Sequence, residues 1–158
     1  MFGTCVKRGI RMEKIQLKVK KLLSEAKMPS YASASAAGAD LYALSDHEIR
    51  IDAHGTAVVH TGIAAEIPEG YVGLIFARSG LASKKGLAPA NKVGVIDSDY
   101  RGEIRVALHN HSKYTQSIEP YERVAQLVIM PYVCAEFIET EELSQTERGE
   151  GGFGSTGK

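Results

Sequence analysis

Two carboxylates, Asp97 and Asp99, stand two residues apart in the stretch Gly94 to Gly102, GVIDSDYRG. Alternate side chains of an extended chain share a face. The apolar pair Val95 and Ile96 therefore predicts a strand end that turns into a hairpin, aiming one carboxylate into a cleft while Tyr100 covers the other side. A carboxylate held there could orient a water and take its proton; an Asp-rich turn is the structural alternative. A second group is ARSGLASKKG, Ala77 to Gly86. Arg78 offers a planar fork, Ser79 a hydroxyl and Gly80 close access to backbone N–H groups, the ingredients of an anion cradle; a capped surface helix has the same composition. Asn91 carries a donor and an acceptor on one side chain, and Asp40 follows Gly38 where it could simply cap a turn. Arg123 and Gln126 interrupt the otherwise apolar ERVAQLVIMPYV, where polar groups need partners.

The elements that must position these groups read as β-structure. Ile15, Leu17 and Val19 alternate with Gln16, Lys18 and Lys20, which predicts a first, half-buried strand. Small residues from Ala32 to Ala39 predict an irregular loop. Ile49 and Ile51 flank Arg50, and Val58, Val59 and Ile63 follow Gly55, so a hairpin is expected there. Tyr71 to Phe76, YVGLIF, is too short for a stable helix and reads as a buried strand delivering Arg78 at its end. Leu81, Lys84, Lys85 and Leu87 are spaced for a helix of about two turns from Ser79, its N-terminal amides facing the anion. Asn91 to Gly102 is expected to form the central hairpin, and EIRVALH, Glu103 to His109, a strand with one wet face. His109 and His111 are read as solvated rather than metal-binding, because no third ligand follows at a useful spacing. Val124, Leu127 and Ile129 predict a core strand. From Glu136 to Glu147 the chain is acidic and poorly periodic, an arm rather than a core element, and the tail RGEGGFGSTGK sets five glycines around Phe153.

With 158 residues the chain is long enough for one core and one domain. Lys plus Arg and Asp plus Glu balance at 19 each, so no overall field draws it toward nucleic acid and any anion site must be local. No apolar run approaches membrane-spanning length. Cys5 and Cys134 lack metal-ligand spacing and are expected as free thiols, which with the absence of a targeting segment points to the cytoplasm. The expected organisation is a disordered leader over 1–12, a β-domain over 13–135, and an arm and flexible lid over 136–158.

GVIDSDYRG resembles the third signature motif of the trimeric dUTPases, and the other four appear in that family's order. They are AGADLYA (Ala37 to Ala43), ARSGLA (Ala77 to Ala82), ERVAQLVI (Glu122 to Ile129) and RGEGGFGSTG (Arg148 to Gly157). Ala39 stands where the family usually has a tyrosine or similarly large residue, and Ala77 where it often has proline.

The resemblance implies an all-β, jelly-roll-like barrel with one short helix, assembled as a homotrimer with exchanged C-terminal arms. It implies hydrolysis of dUTP to dUMP and pyrophosphate with Mg2+, and Asp40 contacting the nucleotide-bound magnesium through water. By the same resemblance Asp97 is the catalytic carboxylate and Arg123 orients it. Arg78, Ser79 and Gly80 grip the triphosphate, and Gln126 contacts the phosphate chain or its metal-bound waters; Asn91 and the main chain at Gly94 and Val95 read uracil; Tyr100 lies under the deoxyribose. Phe153 stacks on the base while Arg148, Gly154, Ser155 and Thr156 close over the phosphates. Three other readings remain at this point: a dCTP deaminase of the same fold, for which a glutamate beside the base is expected where IDSDY has aspartate; a dUTP-binding regulator without activity; and a structural jelly-roll protein.

Overall fold

The computed structural model describes residues 14–152. The expected leader over 1–12, Cys5 and the lid residues Phe153 to Thr156 lie outside them. In chain order the strands are β1 (Lys18–Lys21), β2 (Ser30–Tyr31), β3 (Ala39–Tyr42), β4 (Ile49–Ile51), β5 (Thr56–His60), β6 (Ile63–Glu66) and β7 (Tyr71–Phe76). The helix α1 (Ser79–Lys85) follows, then β8 (Leu87–Pro89), β9 (Gly94–Ile96), β10 (Arg105–Asn110), β11 (Gln116–Ile118) and β12 (Arg123–Pro131). The all-β expectation with one short helix holds.

The expected barrel does not close. The strands fall into a five-stranded sheet, β2-β3-β12-β7-β9, a three-stranded sheet, β5-β10-β8, and two strand pairs, β1-β6 and β11-β4. Most strands are too short to carry hydrogen bonding around a full ring, and the chain passes repeatedly from one sheet to another. The core lies between the sheets, where Leu41, Ile51, Val59, Ile63, Leu108, Ile118 and Val124 are essentially sealed from solvent. In β10 the alternation seen in the sequence becomes geometry: Val106, Leu108 and Asn110 point inward and Arg105 outward. Asn110 is tolerated there because its amide donates to the carbonyls of Ile51, Asp52 and Tyr114.

Two expected hairpins are replaced by crossings between sheets. Ile49–Ile51 pairs with β11, whereas β5 pairs with β10; the turn closed by the Gly55 N–H on the Asp52 carbonyl redirects the chain rather than folding it back. Likewise β9 pairs with β7, at Gly73↔Ile96 and Ile75↔Gly94, while β10 lies in the other sheet. GVIDSDYRG is thus an arch between layers. The first strand begins at Lys18 rather than Ile15, because β6 offers partners only from Glu66 to Ile63. The helix ends before Leu87: Gly86 takes a left-handed conformation (φ 66°) and its N–H closes on Ala82, so Leu87 opens a strand and is buried.

Candidate active site

β9 is an edge strand of the five-stranded sheet, so one side of its backbone keeps unpaired N–H and C=O groups. That side borders a cavity of about 370 Å³, which Asn91, Gly94, Val95, Asp97 and Tyr100 line together with β10. Gly94 is buried against Ile75 and Asn91: a Cβ there would sit 3.1 Å from Ile75 Cβ and 3.2 Å from Asn91 Nδ2. The missing side chain brings backbone, rather than a methyl group, to the cavity wall. Val95 is 63% exposed on the rim. Asp97 is exposed and its carbonyl accepts the Tyr100 N–H at 3.2 Å, which closes the turn. The Tyr100 hydroxyl donates to the Glu103 carbonyl at 2.9 Å, fixing the ring across the cavity mouth. The structure therefore brings Asn91, Gly94, Val95, Asp97 and Tyr100 together.

A second cluster gathers elsewhere on the same sheet. Asp40 on β3 is 2% exposed, a burial that a lone carboxylate would not tolerate. Arg78 Nε donates to Asp40 Oδ1 at 2.8 Å and Arg123 Nη1 donates to Oδ2 at 3.1 Å. Two positive groups share one negative partner, so the cluster keeps an excess positive charge at the surface, suited to a polyanion. Gln126 lies beside it, opposite both Asp40 and Phe76 in the strand register. Ser79 and Gly80 are exposed at the start of α1. The expected contact between Arg123 and Asp97 is not made within this chain; Arg123 is held by Asp40 because β3, not β9, is the neighbour of β12 at that end. Arg148 is exposed in the arm, its Nε bonded to the Gly151 carbonyl, away from both clusters' hydrogen bonds.

Sequence reasoning missed two groups. Glu103 accepts the Gly62 N–H at 2.8 Å and pairs with the His60 ring at 2.8 Å. Burial opposes its ionisation, but the Gly62 N–H and the His60 ring outweigh that and hold the carboxyl below the usual carboxylate range. Lys85 donates to the Ser117 carbonyl and to both oxygens of Glu122, tying the end of α1 to the residue before Arg123. In both cases the partners are more than thirty residues apart, and no local spacing signals them.

Among the described residues no three His, Cys, Asp or Glu side chains gather as a metal cage. His109 is instead tied to the Thr56 hydroxyl at 2.9 Å. Asp40 is buried and each of its oxygens already accepts from a guanidinium, so it has no free oxygen to ligate a metal directly; a magnesium ion at this site would have to arrive with a phosphate ligand and keep its water shell.

A dUTPase family model matches residues 24–157, which contain all five motifs. The chain belongs to the dUTPase family. The deoxyuridine 5'-triphosphate nucleotidohydrolase of Nautilia profundicola is 53% identical over 144 residues, 91% of this chain and 100% of that protein. The dUTPase of Staphylococcus bacteriophage 80alpha, solved with dUPNHPP, matches with a TM-score of 0.83 at 34% identity, covering 92% of this chain and 100% of that one. A mutant dUTPase from phage phi11 of S. aureus, whose structure describes a structural Mg(II) ion, matches with a TM-score of 0.72 at 29% identity over 81% of this chain and 98% of that one. The resemblance carried by the five motifs is borne out, and the protein is an enzyme of this family rather than a structural jelly-roll protein.

The dUTPase motifs divide between the two clusters. The first, second and fourth motifs build the Asp40 clamp; the third builds the cavity. The register sets Ile96 beside Gly73 and Gly73 beside Ile129, six positions along β12 from Arg123. At the ~3.3 Å rise of a strand residue, the row of Ile96 lies about 20 Å along the sheet from Arg123, and Asp97 continues beyond that row, away from Arg123.

Proposed function

We propose that this dUTPase hydrolyses dUTP to dUMP and pyrophosphate, removing dUTP from the nucleotide pool and supplying dUMP for thymidylate synthesis. The observation that carries it is the cavity beside β9, where backbone at Gly94 and Val95, the amide of Asn91, Tyr100 and Asp97 converge. Thymine differs from uracil by one methyl, which an open pocket discriminates by only ~1–3 kcal/mol. Backbone packed at Gly94 supplies a wall that leaves no space for that methyl, while Asn91 and the free edge of β9 match the donor and acceptor pattern of uracil. Tyr100 lies under the deoxyribose and excludes a 2′-hydroxyl. Asp97 orients a water in line with the α-phosphorus, takes its proton, and holds the 3′-hydroxyl.

The triphosphate is gripped by Arg78, Ser79, Gly80 and Gln126. The distance between clamp and cavity supports a site shared between copies: within one chain Arg123 holds Asp40, and only the Arg123 of a neighbouring copy reaches the catalytic carboxylate. Our reading of the assembly is a homotrimer with three such sites and exchanged arms, its lid made by Arg148, Phe153, Gly154, Ser155 and Thr156 closing over the bound nucleotide. Asp40 would meet a magnesium ion carried by the nucleotide through that ion's water shell, and the ion would supply neutralisation of phosphate charge and a fixed phosphate geometry. The setting is the cytoplasm.

The test is pyrophosphate release from dUTP, dTTP, dCTP and UTP with magnesium, with the nucleotide product identified in parallel. Release from dUTP alone, giving dUMP, is expected. Ammonia and dUTP from dCTP would move the chain to the deaminase branch, and dUTP binding with no product would make it a regulator.

A further inference from the structure

Tyr100 is 42% exposed, so packing alone does not hold its ring at the cavity mouth. What holds it is one hydrogen bond, from its hydroxyl to the Glu103 carbonyl at 2.9 Å, and the absence of a side chain on Gly102, whose Cβ would lie 2.6 Å from the Tyr100 Cζ. The ring is therefore placed only as well as residue 103 is placed. Glu103 lies ahead of β10, outside any strand, and its main chain depends on other anchors. Its carboxylate supplies two of them, from the Gly62 N–H to Oε1 and from His60 Nδ1 to Oε2, each at 2.8 Å. The Glu103 side chain is 20% exposed, and it lines both the cavity beside β9 and the groove behind it. The next residue adds further ties to the same segment: the Ile104 N–H donates to the Ile63 carbonyl at 2.8 Å, and the Thr61 hydroxyl donates to the Ile104 carbonyl.

We infer that Glu103 is a positioning residue for sugar selection: its carboxylate, fastened to His60 and Gly62, sets the carbonyl that holds Tyr100 in place. Both carboxylate oxygens of Glu103 are engaged by Gly62 and His60, so its proposed role runs through Tyr100 rather than through a contact of its own with the nucleotide. The inference rests on the reading of Tyr100 as the platform under the deoxyribose. Loss of the Glu103 carboxylate frees the ring to move and makes room for a 2′-hydroxyl, so UTP turnover rises relative to dUTP. A residue that only stabilised the fold would lower both activities together.

The experiment measures kcat/KM for dUTP and UTP in the full-length wild type and in Glu103→Gln, Glu103→Ala, His60→Ala, Tyr100→Phe and the Glu103→Ala/Tyr100→Phe double variant. One net hydrogen bond corresponds to about 3- to 10-fold in an equilibrium. The dUTP/UTP preference is expected to fall by that factor in Tyr100→Phe and in Glu103→Ala, by less in His60→Ala, which keeps the Gly62 anchor, and least in Glu103→Gln, whose amide can accept from Gly62 and donate to the neutral His60 ring. The double variant is expected to lose no more than the larger single loss, because both act through one contact. A wild type that turns over UTP as readily as dUTP removes the sugar-selection reading and this inference with it. A selective wild type, an impaired Tyr100→Phe and an unchanged preference in both Glu103 variants overturns the inference alone. If Glu103→Ala does not fold, Glu103→Gln and His60→Ala decide: a reduced preference in either supports the role, and wild-type preference in both overturns it.

Discussion

Asp40 illustrates how a residue's type can be legible while its job is not. Its place after Gly38 suggested a turn cap or a metal contact, yet both oxygens are spent on Arg78 and Arg123, 38 and 83 residues away in the chain. No spacing encodes such distances. Asp40→Ala leaves two guanidiniums facing each other without their counter-charge; because these are 22% and 46% exposed and partly hydrated, a loss of about 3 kcal/mol is expected, the low end for a broken buried pair. Denaturant titration checks it through a lowered midpoint at unchanged slope. Asp97 differs in kind, being exposed. Asp97→Asn is expected to bind dUTP as the wild type does while kcat falls about 10²- to 10⁴-fold; isothermal titration beside steady-state kinetics separates the two effects, and near-normal turnover removes Asp97 as the base.

Elements were legible where one signal sufficed. β10 follows from strict alternation, β7 from a short apolar run, and β12 from an apolar strand broken by two polar residues. Pairing was not, because Asp52 to Gly55 and Asp97 to Gly102 say where the chain bends but not which sheet it enters next. The end of α1 shows how much one residue decides. Gly86 turns the chain from helix to β8 at φ 66°, and an added Cβ would stand 3.2 Å from Ser112. Gly86→Ala is expected to cost about 1–2 kcal/mol, the ordinary cost of a left-handed non-glycine residue. Thermal unfolding reports that loss. Because α1 carries Ser79 and follows Arg78, a raised KM for dUTP with little change in kcat is expected alongside.

At the scale of the molecule, the described chain after Pro131 enters no strand or helix, and the apolar residues within it carry no sequence signal that marks them as a contact surface. Val133, Phe137, Ile138 and Leu143 are 92%, 95%, 78% and 86% exposed, a row that a chain in water would cover. A mass in solution of about three times the 17.1 kDa of one chain is expected, and a mass near 17 kDa would refute the trimer. Deleting residues 148 to 158 is expected to keep that mass and the melting temperature while lowering kcat/KM by at least about 100-fold, the scale of losing a lid that completes a site; full activity without the tail would remove the lid. The uncovered arm also carries a consequence in time. In the proposed trimer, a newly synthesised chain would hold those four side chains bare until two other copies joined it, and its earliest moments would be governed by mass action as well as by its own folding. Activity should then appear with a lag that shortens steeply as the concentration of fresh chains rises.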